Sequence, residues 1–251
     1  MLRATFQHLS GIGPILEADL WRRGVSDWSD LIDDAGALGR LPAPVRERLG
    51  AEVAASERAL AERDAGWFGR RLAEREHWRL YPTFARETAF LDIETTSLSP
   101  YEGIVTVVGV HGGGRTRSFV AGEDLEELPA YLRPFGLLVT FNGSRFDVPF
   151  LRVAFPRWVP PPVHIDLRFV LYRIGLAGGL KRIESVVGLG DRTGVEGVNG
   201  LEAVRLWQAH RRGNPEALGR LVRYNRADTK NLEPLLEFAV AELAARLRPE
   251  A

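Results

Sequence analysis

The rhythm of apolar residues changes near residue 88. Before it, apolar positions recur at helical intervals broken by glycine and proline; after it come short alternating or continuous apolar runs, then long helical stripes. Residues 90–98, Phe-Leu-Asp-Ile-Glu-Thr-Thr-Ser-Leu, read as a short strand. Successive strand side chains alternate faces, so Asp92 and Glu94 point one way while Leu91 and Ile93 enter a core. Further strands are expected over 104–111 and 116–120, joined through Gly112-Gly113-Gly114, a hairpin signature. Residues 123–133 read as a helix, 137–141 as an apolar strand buried on both faces, and 163–166 as a strand ending at Asp166. Helices then follow over 147–155, 166–174, 180–187, 201–212 and 216–247, the last with Leu232, Leu235, Leu236, Ala239, Val240 and Leu243 on one stripe. Three strands in a meander, a helix and a central strand describe an α/β sheet of mixed direction.

The N-terminal third is helical in texture. His8 to Asp34 places Gly11-Ile12-Gly13 ahead of Pro14, with apolar spacing afterwards and a stop at Gly24, which reads as two short helices joined by a tight hairpin. Pro42-Ala43-Pro44 opens a long helical stretch to about residue 79, closed by Pro82. The expected division is a small all-α module over 1–50, a connecting helical segment over 51–86, and the α/β domain over 87–251.

Composition narrows the chemistry. A chain of 251 residues, 45% hydrophobic, suffices for one large domain with a small appendage. It has no cysteine, which excludes disulfides, zinc thiolate sites and thiol nucleophiles, so a metal site must use carboxylates and histidine. Formal net charge is +0, so contact with a polyanion has to come from local patches. Lysine occurs only at Lys181 and Lys230, and arginine supplies nearly all positive charge. The first residues carry no apolar signal core, and no apolar run approaches the ~18 residues that span a bilayer. A cytoplasmic protein without membrane attachment is expected.

Two acids on one strand face repel, and a hard divalent cation such as Mg²⁺, which prefers oxygen ligands, offsets that repulsion. Two further acidic motifs lie downstream. Asn142-Gly143-Ser144-Arg145-Phe146-Asp147-Val148-Pro149-Phe150-Leu151 leaves a buried strand through Asn-Gly and enters a helix at Asp147; Tyr224-Asn225-Arg226-Ala227-Asp228 sets a tyrosine and an aspartate four residues apart on one helical face. In this order the motifs resemble the DEDD exonuclease superfamily, of ribonuclease H-like fold, in its tyrosine-containing branch, and most of all the YprB-type domains. The resemblance runs from about residue 88 to 240.

It implies a ribonuclease H-like mixed sheet flanked by helices and a 3′ to 5′ exonuclease acting on single-stranded DNA or RNA ends. It also implies two divalent cations, Mg²⁺ or Mn²⁺, held by Asp92, Glu94, Asp147 and Asp228, with Tyr224 orienting the attacking water. The chemistry requires such a site, because hydroxide attack on an anionic phosphodiester needs positive charge on both attacking and leaving oxygens. Asn142, Lys181 and Arg192 are candidate substrate contacts, the last two flanking a glycine-rich loop from Gly188 to Gly200. Asp166 fits a helix-capping role. The Gly11 and Gly13 segment resembles a helix-hairpin-helix motif, whose backbone N–H groups grip phosphate, but Glu17 stands where a small residue is expected. Packing and binding fit that hairpin equally. Two other functions fit the same fold: a structure-specific endonuclease, and a nucleic-acid-binding module without catalysis.

Overall fold

The computed structural model describes residues 1–33, 39, 41, 43–194 and 199–247. Pro42 and residues 195–198 of the predicted glycine-rich loop lie outside these. The chain forms two compact units, one of Met1–Ala85 with the segment from Glu242 onward, the other of Arg86–Ala241.

The first unit is all-helical among its described residues. A 3₁₀ turn at Leu2–Ala4 leads through Gly11 and Gly13 to α1 (Pro14–Arg22), and α2 (Trp28–Asp33) follows. Pro14 starts α1 at its first position, where its missing N–H has no helical partner to lose, and Gly24 adopts φ 86° just beyond its end. The glycines thus precede α1, with a 3₁₀ turn rather than a helix on their far side. Gly11 has φ 84°, and a Cβ there would sit 2.7 Å from Val45 Cγ2.

The long helix expected to residue 79 is broken. It comprises α3 (Ala43–Ala61), α4 (Ala65–Gly69), a 3₁₀ segment at Glu74–Leu80, and α5 (Tyr81–Phe84). The break comes at Arg63, in the left-handed region with φ 59°, after which the Asp64 side chain accepts from the Trp67 N–H and caps α4. Pro82, expected to close the stretch, stands in the first turn of α5, where proline is tolerated. The unit's core includes Phe6, Trp28, Leu31, Phe68, Trp78 and Phe84. His8 packs against Trp28 and Phe68 with ring centroids 5.2 and 5.5 Å away, and burial lowers its pKa to about 3.

The second unit carries a five-stranded sheet in the order β3-β2-β1-β4-β5. β1 (Thr88–Thr95), β2 (Val105–Gly112) and β3 (Arg115–Val120) form an antiparallel meander. The helical segment 123–133 resolves into a 3₁₀ turn and α6 (Leu128–Leu132), after which β4 (Leu137–Thr140) pairs parallel to β1. Next come α7 (Asp147–Ala154), β5 (Val163–Asp166), which pairs parallel to β4, and α8 (Leu167–Arg173). Three helices close the chain: α9 (Leu180–Val187), α10 (Gly200–Arg211) and α11 (Pro215–Leu247). The ribonuclease H-like mixed sheet flanked by helices, with a helical N-terminal region, is the architecture expected.

Each sheet face has its own core. Leu91 and Ile93 join Val108, Val110, Leu138 and Phe150 on one face; Val107 joins Ala203, Leu206, Trp207, Leu221 and Tyr224 of α10 and α11 on the other. That second face carries the acids of β1.

Candidate active site

Directly opposed residues of an antiparallel pair share a face. Glu94 is paired with Val107 and Asp92 with Gly109, so both acids lie on the face covered by α11, and the register slips just after Glu94. Gly109 explains how closely α11 can lie: a Cβ there would be 2.3 Å from Thr229 Oγ1 and 2.4 Å from Asn225 Oδ1. The close approach lets Asn225 Nδ2 donate to Asp92 Oδ2 at 3.0 Å and to the Asp92 carbonyl at 3.1 Å. Asp228, one turn along from Tyr224, then brings its carboxylate to the same place. One oxygen from each of Asp92, Glu94 and Asp228 lies within 4.8 Å of the other two.

Asp147 is the first residue of α7 and is buried; its Oδ1 has no hydrogen-bond partner among the described residues. It lies outside the trio, although its charge acts on both Asp92 and Glu94. The turn leading to it is fixed by Asp166, whose carboxylate accepts from the Asn142 N–H at 2.8 Å, the Ser144 N–H at 3.1 Å and Ser144 Oγ at 2.5 Å. The same carboxylate accepts from the Arg168 N–H at 3.2 Å and caps α8, the role expected for it. Asn142 adopts φ 64°, and its side-chain oxygen accepts from Arg168 NH1 at 2.6 Å. Gly143 is obligatory in this turn, since a Cβ would fall 2.1 Å from Thr140 Oγ1.

The electrostatics follow from crowding acids under a helix. Burial raises Asp92 well above the usual carboxylate range, and the charges of Asp228, Glu94 and Asp147 raise it further, with the Asn225 hydrogen bond opposing. Glu94 is raised in the same way by burial, Asp228 and Asp147, and Lys181 works against the shift. Burial lifts Asp147 to about 7, partly offset by its own N–H, while Asp166 adds repulsion. Burial, the charges of Asp228 and Glu94 and a hydrogen bond to Asp228 all hold the proton on the Tyr224 phenol. Lys181 stands with Nζ 4.6 Å from the Tyr224 ring centroid, and burial lowers its pKa despite the neighbouring acids.

A largely buried set of oxygen donors, in which Asp92 and Glu94 are destabilised as anions, together with an unpartnered Asp147 oxygen, fits a hard divalent cation. Asp92, Glu94 and Asp228 could hold one. Arg192, predicted as a substrate contact, has its NH1 2.5 Å from Asp228 Oδ1. Gly11 and Gly13 belong to the other unit, where the Ser10 N–H donates to Glu52 Oε2 at 2.8 Å, and Glu17 accepts from the Phe6 N–H at 2.7 Å and from Arg79 at 2.9 Å. Among the histidines, His164 Nε2 meets Thr140 Oγ1 at 2.8 Å and His111 Nε2 meets Glu233 at 2.9 Å.

Three contributors were missed from sequence. Asn225 is adjacent to Tyr224 and three residues before Asp228, so helical spacing could have placed it on the site's face. Glu184 and Asn231, which support Arg192, are joined to it only by the fold.

Residues 89–240 match the family model of the RNase H superfamily, well over half of the chain, and the chain belongs to that family. No curated protein matches it. Among solved structures, it is similar to the family B DNA polymerase of the hyperthermophilic archaeon Pyrobaculum calidifontis, with 19% identity over 64% of this chain and TM-score 0.46; the match spans only 24% of the polymerase. A structure described as the apo form of the nuclease shares 19% identity over 66% of this chain and 77% of its own, with TM-score 0.47. Brucella melitensis NrnC with bound Mg²⁺ shares 20% identity over 66% and 88%, with TM-score 0.35. These likenesses concern the fold. No helix among the described residues is long and apolar enough to cross a membrane.

Proposed function

We propose that the protein is a metal-dependent 3′ to 5′ exonuclease of single-stranded nucleic acid ends, of the tyrosine-containing DEDD branch and YprB type. The observation that carries this reading is the meeting of Asp92, Glu94 and Asp228 beneath α11, with the Tyr224 phenol bonded to Asp228. A module that only bound polyanions would gain nothing from gathering acids where a phosphate has to lie.

In this reading Asp92, Glu94 and Asp228 hold one Mg²⁺ or Mn²⁺, and Asp147 with Asp92 reaches a second. When bound, such a pair neutralises charge on the attacking and leaving oxygens of a phosphodiester and acidifies the attacking water. Asn225 holds the Asp92 carboxylate in place through its hydrogen bond to Oδ2. Tyr224 keeps its proton at neutral pH, so its hydroxyl orients the water and does not act as a base. Lys181, beside the phenol, and Asn142, on the turn before Asp147, are the substrate contacts we favour. In the N-terminal unit we read Gly11 and Gly13 as a packing turn, because Glu52 and Glu17 already take backbone N–H groups around it.

End-labelled linear and circular single strands of DNA and RNA, incubated with Mg²⁺, Mn²⁺ or chelator, test the reading. We expect shortening of linear strands only, dependent on metal, and its loss in Asp92→Asn. Cleavage of circles would point to an endonuclease, and intact strands under every condition to a binding module.

A further inference from the structure

Arg192 makes contacts that a surface substrate clamp does not need. Its Nε and NH2 form a fork on Glu184, at 2.5 Å to Oε2 and 2.9 Å to Oε1, and NH1 reaches Asp228 Oδ1 at 2.5 Å. Glu184 is buried, and Asn231 Nδ2 donates to its Oε1 at 3.0 Å. The Asn231 side-chain oxygen in turn accepts from the Asp191 N–H at 3.1 Å, which fixes the backbone one residue before Arg192. The guanidinium is therefore anchored through two of its nitrogens, and its third is directed at an acid of the candidate metal site.

An anchor of this kind has a chemical reason. Asp228 is buried among Asp92 and Glu94, and a lone carboxylate there would be strongly destabilised. A guanidinium on its Oδ1 supplies the positive charge that a cation would otherwise bring, and it takes up one of the two oxygens that Asp228 could offer to one. A fork on carboxylate fixes direction as well as charge, which a flexible ammonium cannot reproduce.

We propose that Arg192 is a positioning residue that stands in for the metal on Asp228 and is displaced from it when metal binds. This rests on the reading of Asp92, Glu94 and Asp228 as metal ligands. Displacement breaks one of the three hydrogen bonds and leaves the Glu184 fork in place. The freed NH1 would then be available to donate to a phosphate oxygen of the incoming strand. Metal loading thus converts Arg192 from a partner of the protein into a partner of the substrate.

The consequence is a pair of effects of opposite sign in one variant. Arg192→Gln should bind Mn²⁺ about tenfold more tightly, the scale of one charge-assisted hydrogen bond. It should bind a short single-stranded oligonucleotide in Ca²⁺ about tenfold more weakly, whichever of the deoxy and ribo strands the wild type binds. Arg192→Lys, which keeps the charge and loses the fork, should behave like Arg192→Gln in both measurements. Mn²⁺ affinity is read by calorimetry and strand affinity by fluorescence anisotropy, with circular dichroism verifying the fold. Wild-type behaviour of Arg192→Lys would reduce the effect to net charge and overturn the proposal. So would a variant that loses both affinities together, as a structural defect would make it do, or one that changes neither. Asp228→Asn separates the two levels: if wild-type Mn²⁺ binding survives in it, Asp228 is no ligand and the underlying metal-site reading fails as well.

Discussion

Tyr224 belongs to a core cluster and to the candidate site at once. Its ring lies in the cluster with Leu221, Trp207 and Val107, and its hydroxyl meets Asp228. Tyr224→Phe keeps the packing and removes one hydroxyl, so we expect turnover to fall roughly ten- to a thousand-fold while Mn²⁺ affinity changes little. Single-turnover rates at saturating metal decide this, and a wild-type rate would leave the ring as packing alone. Asp147 gives the second expectation. Its folded pKa, about 7, lies above the unfolded carboxylate value, so the folded state holds the extra proton. Its contribution to metal-free stability is therefore lost as pH rises from the unfolded value, near ~4, through about 7. Asp147→Asn should be more stable than wild type in chelator at pH 8, by on the order of a few kcal/mol, and nearly equal to it at pH 4. Denaturant melts at the two pH values measure the difference, and an equal gap at both would mean that the carboxyl is not destabilised by burial. The acids and the tyrosine were legible as residue types in fixed spacing. Asn225 offered only its helical spacing and Glu184 no signal at all, because an amide or acid on a helix acquires its role from the strand or loop that folds against it.

Among elements, β1 and α11 were the most readable, one by the alternation of Leu91 to Glu94 and the other by a stripe that is buried from Leu232 to Leu243. The helix expected to residue 79 failed at Arg63, since apolar spacing continues on both sides of the break and a left-handed arginine has no signature in sequence. Asp64 was the available clue, a short acid able to cap a new helix. The contact between β2 and α11 at Gly109 was equally invisible, although the site depends on it. Gly109→Ala would drive its methyl group into Thr229 and Asn225. We expect about 1–3 kcal/mol of destabilisation from overpacking, together with a loss of turnover exceeding the unfolded fraction, because Asn225 aligns Asp92. Urea melts and single-turnover rates on the same sample test this. Full activity per folded molecule would show that the alignment tolerates the shift.

At the scale of the whole molecule, a boundary near residue 88 was foreseeable from the change of rhythm there, although the expected division was into 1–50, 51–86 and 87–251 and the chain forms two units. That the chain's last segment, from Glu242, belongs with the first unit was not, because a continuous helical stripe carries no mark of which core it serves. The sequence count of 33 basic and 33 acidic side chains gives a neutral molecule only if every carboxylate is ionised. Burial keeps protons on part of the acid cluster, Asp147 with a pKa of about 7 among them. A divalent cation entering such a site expels those protons. Metal uptake should accordingly release acid, more at pH 6 than at pH 9, and the apparent binding heat should vary with the ionisation enthalpy of the buffer. Calorimetry in MES and in bis-Tris at pH 6, buffers of different ionisation enthalpy, reads the proton count directly, and identical heats would mean that the site is already ionised. Where the heats differ, the protein exchanges one kind of cation for another, and its affinity for metal is set as much by the acidity of its surroundings as by the supply of the ion.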